Sequence, residues 1–437
     1  MPSQPSPEPV SNSKPLGLII CCALVVGNMI GSGIFLLPAS LASYGGVSIL
    51  GWLATAAGAL MTALVFVRLS RRFPKQGGPY RFAYDHFGPL AGFSVAWSYW
   101  VSIWCGNAAI AVAGISYLSV LFPQLTDSPV IAAGASLLLV WSLTFLNTRG
   151  VRQAGIFQLI TTGLKLLPLV AMAIAAFFVF DGSALQPFNP SEEPISVSIA
   201  ATAALTLWAF LGIESATIPA ENVRDPKVTI PRATLLGFAI ATSVYLLGQI
   251  AIMSIVPNEQ LQNSSAPFAD AAKFLWGEWA GYAVALGAAI SCIGALNGWI
   301  LLQGQVPMTA ARDGLLPKKF VDDKKSGVSI AALVFSSGII SVLVIANYSE
   351  GLVALFTFAI LMSTLGIFIP YLLSIAADLK TTFVRWPVKR NYLNVITGLL
   401  AMFYCLWAVS GIGSKSLIWG TVLIISGLPI YWWMKKE

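Results

Sequence analysis

The chain has 437 residues, of which 57% are hydrophobic and 10% are charged, and its mean hydropathy is +0.79. A soluble protein of this length needs a much more polar surface, so the composition excludes that class and indicates an integral membrane protein. The net charge of +7 is also typical of nucleic-acid-binding proteins, but the basic residues are placed as a membrane topology requires, and we expect no nucleic-acid partner.

Residues 1–14 are polar and rich in proline and serine, and we predict that they form a disordered cytoplasmic tail. Twelve apolar segments follow, each close to or above the roughly 20 residues that a spanning helix needs. They are residues 15–41, 46–70, 87–122, 128–147, 155–180, 198–219, 233–256, 272–305, 328–346, 351–376, 391–411 and 415–433. The predicted fold is therefore an all-α integral membrane protein with 12 transmembrane helices.

The basic residues predict the orientation of these helices. Of the 25 lysines and arginines, 22 lie in the tails or in alternate connections, and the exceptions are Lys165, Lys273 and Lys415. By the positive-inside rule the basic side is cytoplasmic, which places both termini there and requires an even number of spans. The opposite connections are short, and no targeting peptide is evident, as is typical of a bacterial inner-membrane protein.

No metal site or disulfide framework is readable in the sequence. All five cysteines lie inside apolar segments, where we interpret them as packing residues. The single histidine, His86, lies beside Asp85 in a polar connection, as is typical of a solvated loop residue. We therefore expect no metal ion and no cofactor.

Glycines interrupt the first apolar segment, which contains Gly27, Gly31, Ser32 and Gly33. Glycine disfavours a helix interior by about 1 kcal/mol relative to alanine. The backbone N–H and C=O groups of an unwound turn have no water to bond to inside a bilayer. Such a turn is therefore stable only beside protein groups or a solvated cavity. We predict that this helix is unwound at mid-membrane and forms part of a transport site.

The sixth apolar segment contains a second interruption, at Gly212 and Glu214. A charged side chain within a membrane costs about 3 kcal/mol on insertion scales, so Glu214 is expected to face a cavity and to have a partner. The alternative is a structural role, in which a protonated Glu214 bridges two helices. Two interrupted segments at corresponding places in two halves of a chain are typical of secondary transporters.

The two interruptions open two sets of five segments, residues 15–180 and residues 198–376, and an odd number of spans inverts the second set. We therefore predict a 5+5 inverted repeat, followed by two further helices in residues 391–433. Half-helix N-termini suit a carboxylate and half-helix C-termini suit an ammonium group, and an amino acid carries both. We expect the backbone of Ser32 and Gly33 to bind the carboxylate and the carbonyls of residues 208–211 to bind the ammonium.

Four motifs resemble the amino acid-polyamine-organocation superfamily. They are GNMIGSGIF at residues 27–35, TLWAFLGIESA at residues 206–216, NVRDP at residues 222–226 and Gly298-Trp299. Within that superfamily the chain is most similar to the basic amino acid/polyamine antiporters, from about Gly17 to the C-terminus. The resemblance implies a leucine-transporter-like fold, and the antiporters of this type are dimers, so we expect a homodimer through the two C-terminal helices.

The resemblance also implies roles for individual residues. Substrate binding is expected at Ser32, Gly33, Asn107, Trp208, Leu211, Trp299 and Ser363. Gating is expected at Tyr99, Trp208, Glu214, Trp299 and Tyr371. In this assignment Trp208 stacks on the substrate as a middle gate, and the other four gating residues form an outer gate. The flanking positions Ser102, Ile103, Ile110, Ala209 and Leu211 differ from the arginine/agmatine antiporters, which leaves the substrate open.

Lys165 is the other charged residue within a predicted span, about ten residues from either end of its segment. That distance disfavours snorkelling to an interface. A lysine here is similar to one in sodium-independent members of the superfamily, where its ammonium group replaces a sodium ion against the unwound part of the first helix. We therefore expect transport without sodium.

The sequence thus predicts a secondary active amino acid transporter, a sodium-independent exchanger of a cationic amino acid for a related amine or amino acid by alternating access. The alternative within the same class is a proton-coupled neutral amino acid transporter or exporter. A channel would need a continuous polar pore, whereas only Glu214 and Lys165 are charged within the spans. No Ser/His/Asp set, HExxH motif or phosphate-binding loop is present, so we do not expect an enzyme.

Overall fold

The computed structural model describes residues 17–73, 77–149, 151–180, 182–217, 223–321, 328–347, 351–385 and 388–435. The predicted tail at residues 1–14 lies outside them. The first half of the chain forms α1 (Leu18–Met29), α2 (Gly33–Ala42), α3 (Val47–Arg72), α4 (Gly78–Phe87), α5 (Pro89–Leu121), α6 (Pro129–Thr148), α7 (Val151–Val179) and α8 (Ile195–Leu207).

The second half is equally helical. It forms α9 (Pro226–Ile255), α10 (Asn258–Asn263), α11 (Pro267–Trp276), α12 (Glu278–Arg312), α13 (Ile330–Asn347), α14 (Leu352–Arg385), α15 (Val388–Val409), α16 (Ser414–Ile425) and α17 (Gly427–Met434). Short 3-10 turns lie between several of these helices, for example at Trp208–Phe210 and Ser215–Thr217.

Nine helical stretches within the described residues are long and apolar enough to cross a membrane. Three shorter apolar helices, Leu167–Val179, Ile195–Phe210 and Ile330–Ala346, fall on the fifth, sixth and ninth predicted spans. The protein is therefore a multi-pass, all-helical membrane protein, which confirms the predicted fold class at that level. The count of twelve spans and the inverted repeat remain predictions.

The structure corrects the predicted span at residues 272–305. Gly277 separates α11 from α12 at a φ of 87°, a region that side chains other than glycine rarely adopt, so one helix cannot run through it. The spanning helix therefore begins at Glu278, and residues 272–276 belong to the short helix α11. Apolar windows also missed α4, which is flanked by two further positive-φ glycines and buries Tyr80 and Phe82 against the bundle.

Helix α5 forms the centre of the bundle and packs against α12 and α14. In the most apolar part of α5, 94% of the residues are buried. In the most apolar part of Ser414–Met434, near the C-terminus, only 11% are buried. Side chains such as Trp419 and Trp433 are therefore more than half exposed, at 56% and 55%. Apolar exposure on this scale is what lipid or another protein must cover.

A buried carboxylate joins α3 to α14 at the end of the bundle that carries the basic residues. Asp378 is fully buried, and its two oxygens lie 2.6 Å from Arg68 Nη2 and 3.2 Å from Arg72 Nη1. Arg72 also donates to the Thr382 hydroxyl at 3.1 Å. Both guanidinium groups are largely buried, so the carboxylate charge is needed to balance them.

We expect Asp378→Asn to destabilise the protein by about 3 kcal/mol, since removing one member of a buried ion pair leaves the other charge uncompensated. The measurement is the thermal midpoint of unfolding in detergent. The control is Asp225→Asn, because the Asp225 side chain is 80% exposed and its nearest Arg224 nitrogen is 3.9 Å away. Equal midpoints for the two variants would contradict the importance of the buried pair.

Candidate functional site

The first predicted break lies where expected from the glycines. Helix α1 ends at Met29 and α2 begins at Gly33, and Ile30 between them has a non-helical ψ of 84°. The Gly31 N–H bonds to the Met29 carbonyl at 2.9 Å instead of to Gly27, as a continuous helix would require. The break therefore leaves carbonyl groups of α1 that need another donor.

Lys165 supplies that donor from α7. Its ammonium group is buried and donates to the carbonyls of Gly27 at 2.5 Å and of Ile30 at 2.6 Å. A buried ammonium requires such acceptors, and the carbonyl end of a helix carries partial negative charge. The carbonyl oxygens at the break thus stabilise the buried ammonium group. In return, the ammonium group donates the hydrogen bonds that these carbonyls do not receive within the helix.

The second predicted break lies at the end of α8. The α-helix ends at Leu207 and continues as a 3-10 turn, and Gly212 has a φ of 104° that ends any helical continuation. The Tyr245 hydroxyl, from α9, donates to the Ala209 carbonyl at 2.8 Å. A neighbouring side chain therefore satisfies backbone at this break too, as an interrupted spanning helix requires.

The two breaks lie directly against each other. A Cβ atom on Gly212 would lie 3.0 Å from the Asn28 Cβ, and one on Gly33 would lie 2.8 Å from the Trp208 Cζ3. Neither position has room for a side chain without movement of its neighbour. Glycine at both sites is therefore explained by the approach of the two interrupted helices.

A narrow cavity of about 20 Å³ lies between the breaks, α5, α12 and α14. It is lined by Asn28, Met29, Gly31, Ser32, Gly33, Ser102, Ile103, Gly106, Ile110, Trp208, Leu211, Trp299 and Ser363. Six of the seven residues predicted to bind substrate are among them. The flanking positions 102, 103 and 110 line the cavity as well, so they contribute to its side-chain end.

Asn107 is the predicted substrate residue that does not line this cavity. It is fully buried, and its side-chain nitrogen donates to the Gln303 Oε1 at 2.7 Å. Gln303 in turn donates to the Ser337 hydroxyl at 3.0 Å. The Asn107 Oδ1 is buried and has no hydrogen-bond partner among the described residues, so a contact of this residue with the substrate stays a prediction.

The cavity in this conformation has space for about one water molecule, not for an amino acid. Trp208 fills much of the space: its ring lies against Gly33, and its edge meets Phe356 at a centroid distance of 5.6 Å. The Ser32 hydroxyl is fully buried and has no hydrogen-bond partner among the described residues. Movement of Trp208 would enlarge the cavity beside an unused polar group.

Glu214 lies in a cluster with two of the other predicted gating residues. Its two carboxylate oxygens accept hydrogen bonds from the Tyr99 hydroxyl at 2.7 Å and the Tyr371 hydroxyl at 2.9 Å. The Gly212 N–H adds a third at 3.2 Å. Trp299, which was expected in this group and in the substrate site, lines the cavity, and its part in the gate stays a prediction. The fully buried carboxylate thus ties together the second break, α5 and α14.

Sequence reasoning missed several residues that build the site. Tyr245, which caps the second break, and Gln303, which holds Asn107, both lie in long apolar helices. Gln303 could have been found in the sequence because it is a polar residue within an apolar segment. Tyr245 could not, because an aromatic residue is ordinary in such a segment. Asn28 belongs to the first glycine motif, and its place at that break was the clue to its position in the cavity.

Comparison with known proteins agrees with this architecture. The family model described as amino acid permease matches residues 16–434. The cadaverine/lysine antiporter of Escherichia coli (strain K12) is 34% identical over 421 residues, which are 95% of this chain and 94% of that protein. The putrescine transporter of Haemophilus influenzae is 30% identical over 423 residues, 96% of this chain and 97% of that protein.

The arginine/agmatine antiporter of Chlamydia pneumoniae is 30% identical over 444 residues, which cover 96% of this chain and 90% of that protein. These matches run through nearly the whole bundle, including both breaks and the cavity between them. The resemblance drawn from the four sequence motifs is thereby confirmed. The chain belongs to the amino acid permease family of the amino acid-polyamine-organocation superfamily, in which it is similar to the basic amino acid/polyamine antiporters.

Proposed function

We propose that the protein exchanges a cationic amino acid for a related amine or amino acid, without sodium, by alternating access. The observation that carries this proposal is the meeting of two interrupted helices around one cavity, with Lys165 on the carbonyls of the first break. Broken helices that face a buried cavity present both N–H and carbonyl groups to a zwitterion. The names of the relatives include lysine, arginine, cadaverine and putrescine, and these names indicate a substrate with a cationic side chain.

The carboxylate site in this proposal is the start of α2. Ser32 and Gly33 lie at its first turn, where N–H groups without intrahelical partners favour an anion. The buried Ser32 hydroxyl adds a donor. Trp208 and Trp299 also line the cavity, and the face of a tryptophan ring attracts an ammonium or guanidinium group by about 0.5–2 kcal/mol.

The contacts of Lys165 support the proposal of transport without sodium. Its ammonium group lies on two carbonyl oxygens of the first break, and such oxygens are the kind of ligand that a hard cation prefers. A charge that belongs to the chain removes the need for a dissolved ion at this place. We infer that Lys165 stands in for a coupling cation.

The Glu214 cluster is proposed as an inner gate, which revises the outer gate expected from the sequence. Along α14 the cavity residue Ser363 precedes Tyr371, and Tyr371 precedes Asp378, which pairs with Arg68. The cluster therefore lies between the cavity and the basic end of the bundle. With that end cytoplasmic under the positive-inside rule, closure there blocks exit to the cytoplasm.

The proposed topology keeps the twelve spans, the 5+5 inverted repeat and both termini in the cytoplasm. Nine long and three shorter apolar helices among the described residues support this count. The exposed apolar surface of α16 and α17 supports a homodimer through the C-terminal helices, in a bacterial inner membrane.

One observation favours the second candidate, exchange or export of a neutral amino acid. None of the thirteen cavity-lining residues is charged, so no carboxylate there balances an extra positive charge on the substrate. The side-chain end is lined instead by Ile103, Ile110 and Trp299, with Ser102 and Ser363 as its hydroxyl groups.

The test is exchange in proteoliposomes preloaded with labelled lysine and diluted into choline buffer that contains one unlabelled amino acid or amine. We expect lysine, arginine or their decarboxylated amines to release the label, leucine and alanine to fail, and sodium in place of choline to leave the rate unchanged. The second candidate predicts that no compound releases labelled lysine, and that neutral amino acids release labelled leucine from liposomes loaded with leucine instead. Release that requires sodium contradicts the role of Lys165.

A further inference from the structure

A second and larger cavity opens at the end of the bundle opposite the basic residues. Its volume is about 420 Å³, within the range of roughly 300–1,000 Å³ that is typical of small-molecule sites. It lies between α2, α10, α14 and α16, and we call it the outer vestibule. Its polar lining residues are Ser40, Ser43, Gln262, Thr357, Lys415 and Ser416.

The outer vestibule lies on the way from that end of the bundle to the closed central cavity. At roughly 1.5 Å per residue, Thr357 is about 9 Å from the cavity residue Ser363 along α14. Along α2, Ser40 is likewise about 10 Å from Gly33. The Ser40 and Thr357 hydroxyls form a hydrogen bond of 2.8 Å that joins the two helices. A substrate that enters from this end therefore meets the vestibule before it meets the central cavity.

Lys415 is the one charged residue among the described residues that line the vestibule. Its ammonium group lies 5.2 Å from the centroid of the Phe358 ring, and Phe358 lines the same cavity. The face of an aromatic ring attracts an ammonium group, so this contact favours a position of the Lys415 charge at the vestibule wall. A carboxylate in the vestibule is therefore attracted to this wall, and a second cation is repelled from it.

Gln262 presents a hydrogen-bond acceptor on the wall that α10 forms. The Asn258 side-chain nitrogen donates to the Ala42 carbonyl at 2.9 Å, and a carbonyl can only accept, so this bond fixes the direction of the Asn258 amide. The Asn258 oxygen then accepts from the Gln262 Nε2 at 2.7 Å. The direction of the Gln262 amide is thereby fixed too, and its Oε1 is the end that can accept a hydrogen bond from an ammonium group.

We infer that the outer vestibule is a first binding site for α-amino acids, in which Lys415 binds the carboxylate and the Gln262 Oε1 accepts from the α-ammonium group. The inference rests on the proposed function and deepens it, because it separates an amino acid from the amine that its decarboxylation yields. The amine keeps the cationic chain but lacks the carboxylate, so Lys415 repels it. An external amino acid is thus favoured over the external amine before either reaches the central cavity.

The test compares external lysine with external cadaverine, its decarboxylated amine, on the full-length protein. Right-side-out membrane vesicles loaded with unlabelled lysine present the vestibule to the medium, and uptake of labelled lysine is measured. Lys415→Met removes the charge and keeps an apolar side chain of similar length. We expect it to raise the lysine concentration for half-maximal uptake about two- to fivefold, and to lower the inhibition constant of cadaverine by a similar factor. The maximal rate is expected to stay unchanged, because the central cavity is not altered.

The opposite signs distinguish a bound carboxylate from the long-range field of a charge. Lysine and cadaverine are both cations, so the loss of long-range repulsion alone would lower both constants. Only changes of opposite sign agree with the inference. Constants that both fall, both rise or stay the same, or a change in one constant alone, would overturn it.

Two further variants serve as controls. Lys415→Arg keeps the charge and is expected to restore the separation of lysine from cadaverine. Lys273→Met removes a lysine that pairs with Glu278 and does not line the vestibule, so both constants are expected to stay unchanged. Opposite shifts of similar size in Lys273→Met would overturn the inference.

Failure of the proposed function has a different signature, since a wild-type protein that does not exchange lysine contradicts that function alone. The same comparison is then made with leucine and its decarboxylated amine, because Lys415 binds the α-carboxylate whatever the side chain. Opposite changes of the two constants in Lys415→Met would again support the vestibule site, and any other result would overturn it.

Discussion

Replacement of Lys165 by methionine is expected to lower substrate exchange at least about 100-fold. The variant keeps the length and apolar stem of the side chain but removes its charge and both hydrogen bonds to the first break, at Gly27 and Ile30. A hydrogen bond to a charged group contributes about 1.5–3 kcal/mol, so two of them account for this loss even when the helix around them relaxes. The measurement is the initial rate of labelled lysine exchange in proteoliposomes.

The control for this variant is Lys273→Met. Lys273 lies at the end of α11, where its side chain is 55% exposed and pairs with Glu278 at 2.6 Å. A surface ion pair of this kind contributes about 0–1 kcal/mol, so exchange is expected to stay near the wild-type rate. Gel filtration of both variants in detergent separates loss of transport from loss of folding. A folded Lys165→Met protein that exchanges at the wild-type rate would contradict the role given to the ammonium group.

Gly33→Ala is expected to lower exchange by about 10- to 100-fold through a purely steric effect. The added methyl would lie 2.8 Å from the Trp208 ring, whose other edge is held by Ser363 and Phe356. The ring must therefore leave the position that closes the cavity, at a cost of about 1–3 kcal/mol. Alanine keeps the backbone N–H of residue 33, so the donors at the start of α2 remain.

The matched control is Gly134→Ala in α6, where a Cβ atom has no neighbour within 4 Å. Alanine favours a helix over glycine by about 1 kcal/mol, and this control is expected to fold and exchange like the wild-type protein. The two variants are compared by the rate of exchange and by the concentration of lysine that gives half the maximal rate. Wild-type kinetics for Gly33→Ala would show that Trp208 does not close on this glycine during transport.

The sequence by itself determined where the backbone of the two interrupted helices would break. Glycine disfavours a helix at any position, and a charged side chain is costly in any apolar segment, so Gly33, Gly212 and Glu214 were informative without a structure. Composition likewise determined the membrane class, and the motifs around the breaks indicated the family. All these properties are local in the chain.

Only the tertiary structure decided which groups the breaks would meet. Lys165 is 138 residues from Gly27, and Tyr99 is 115 residues from Glu214, so these pairs result from helix packing. Packing also brings the Asn107 amide nitrogen to the Gln303 side chain. The physical reason is that a buried carbonyl or charge needs a hydrogen-bond partner to be stable. The sequence shows this need, but only helix packing determines which distant side chain lies within about 3 Å.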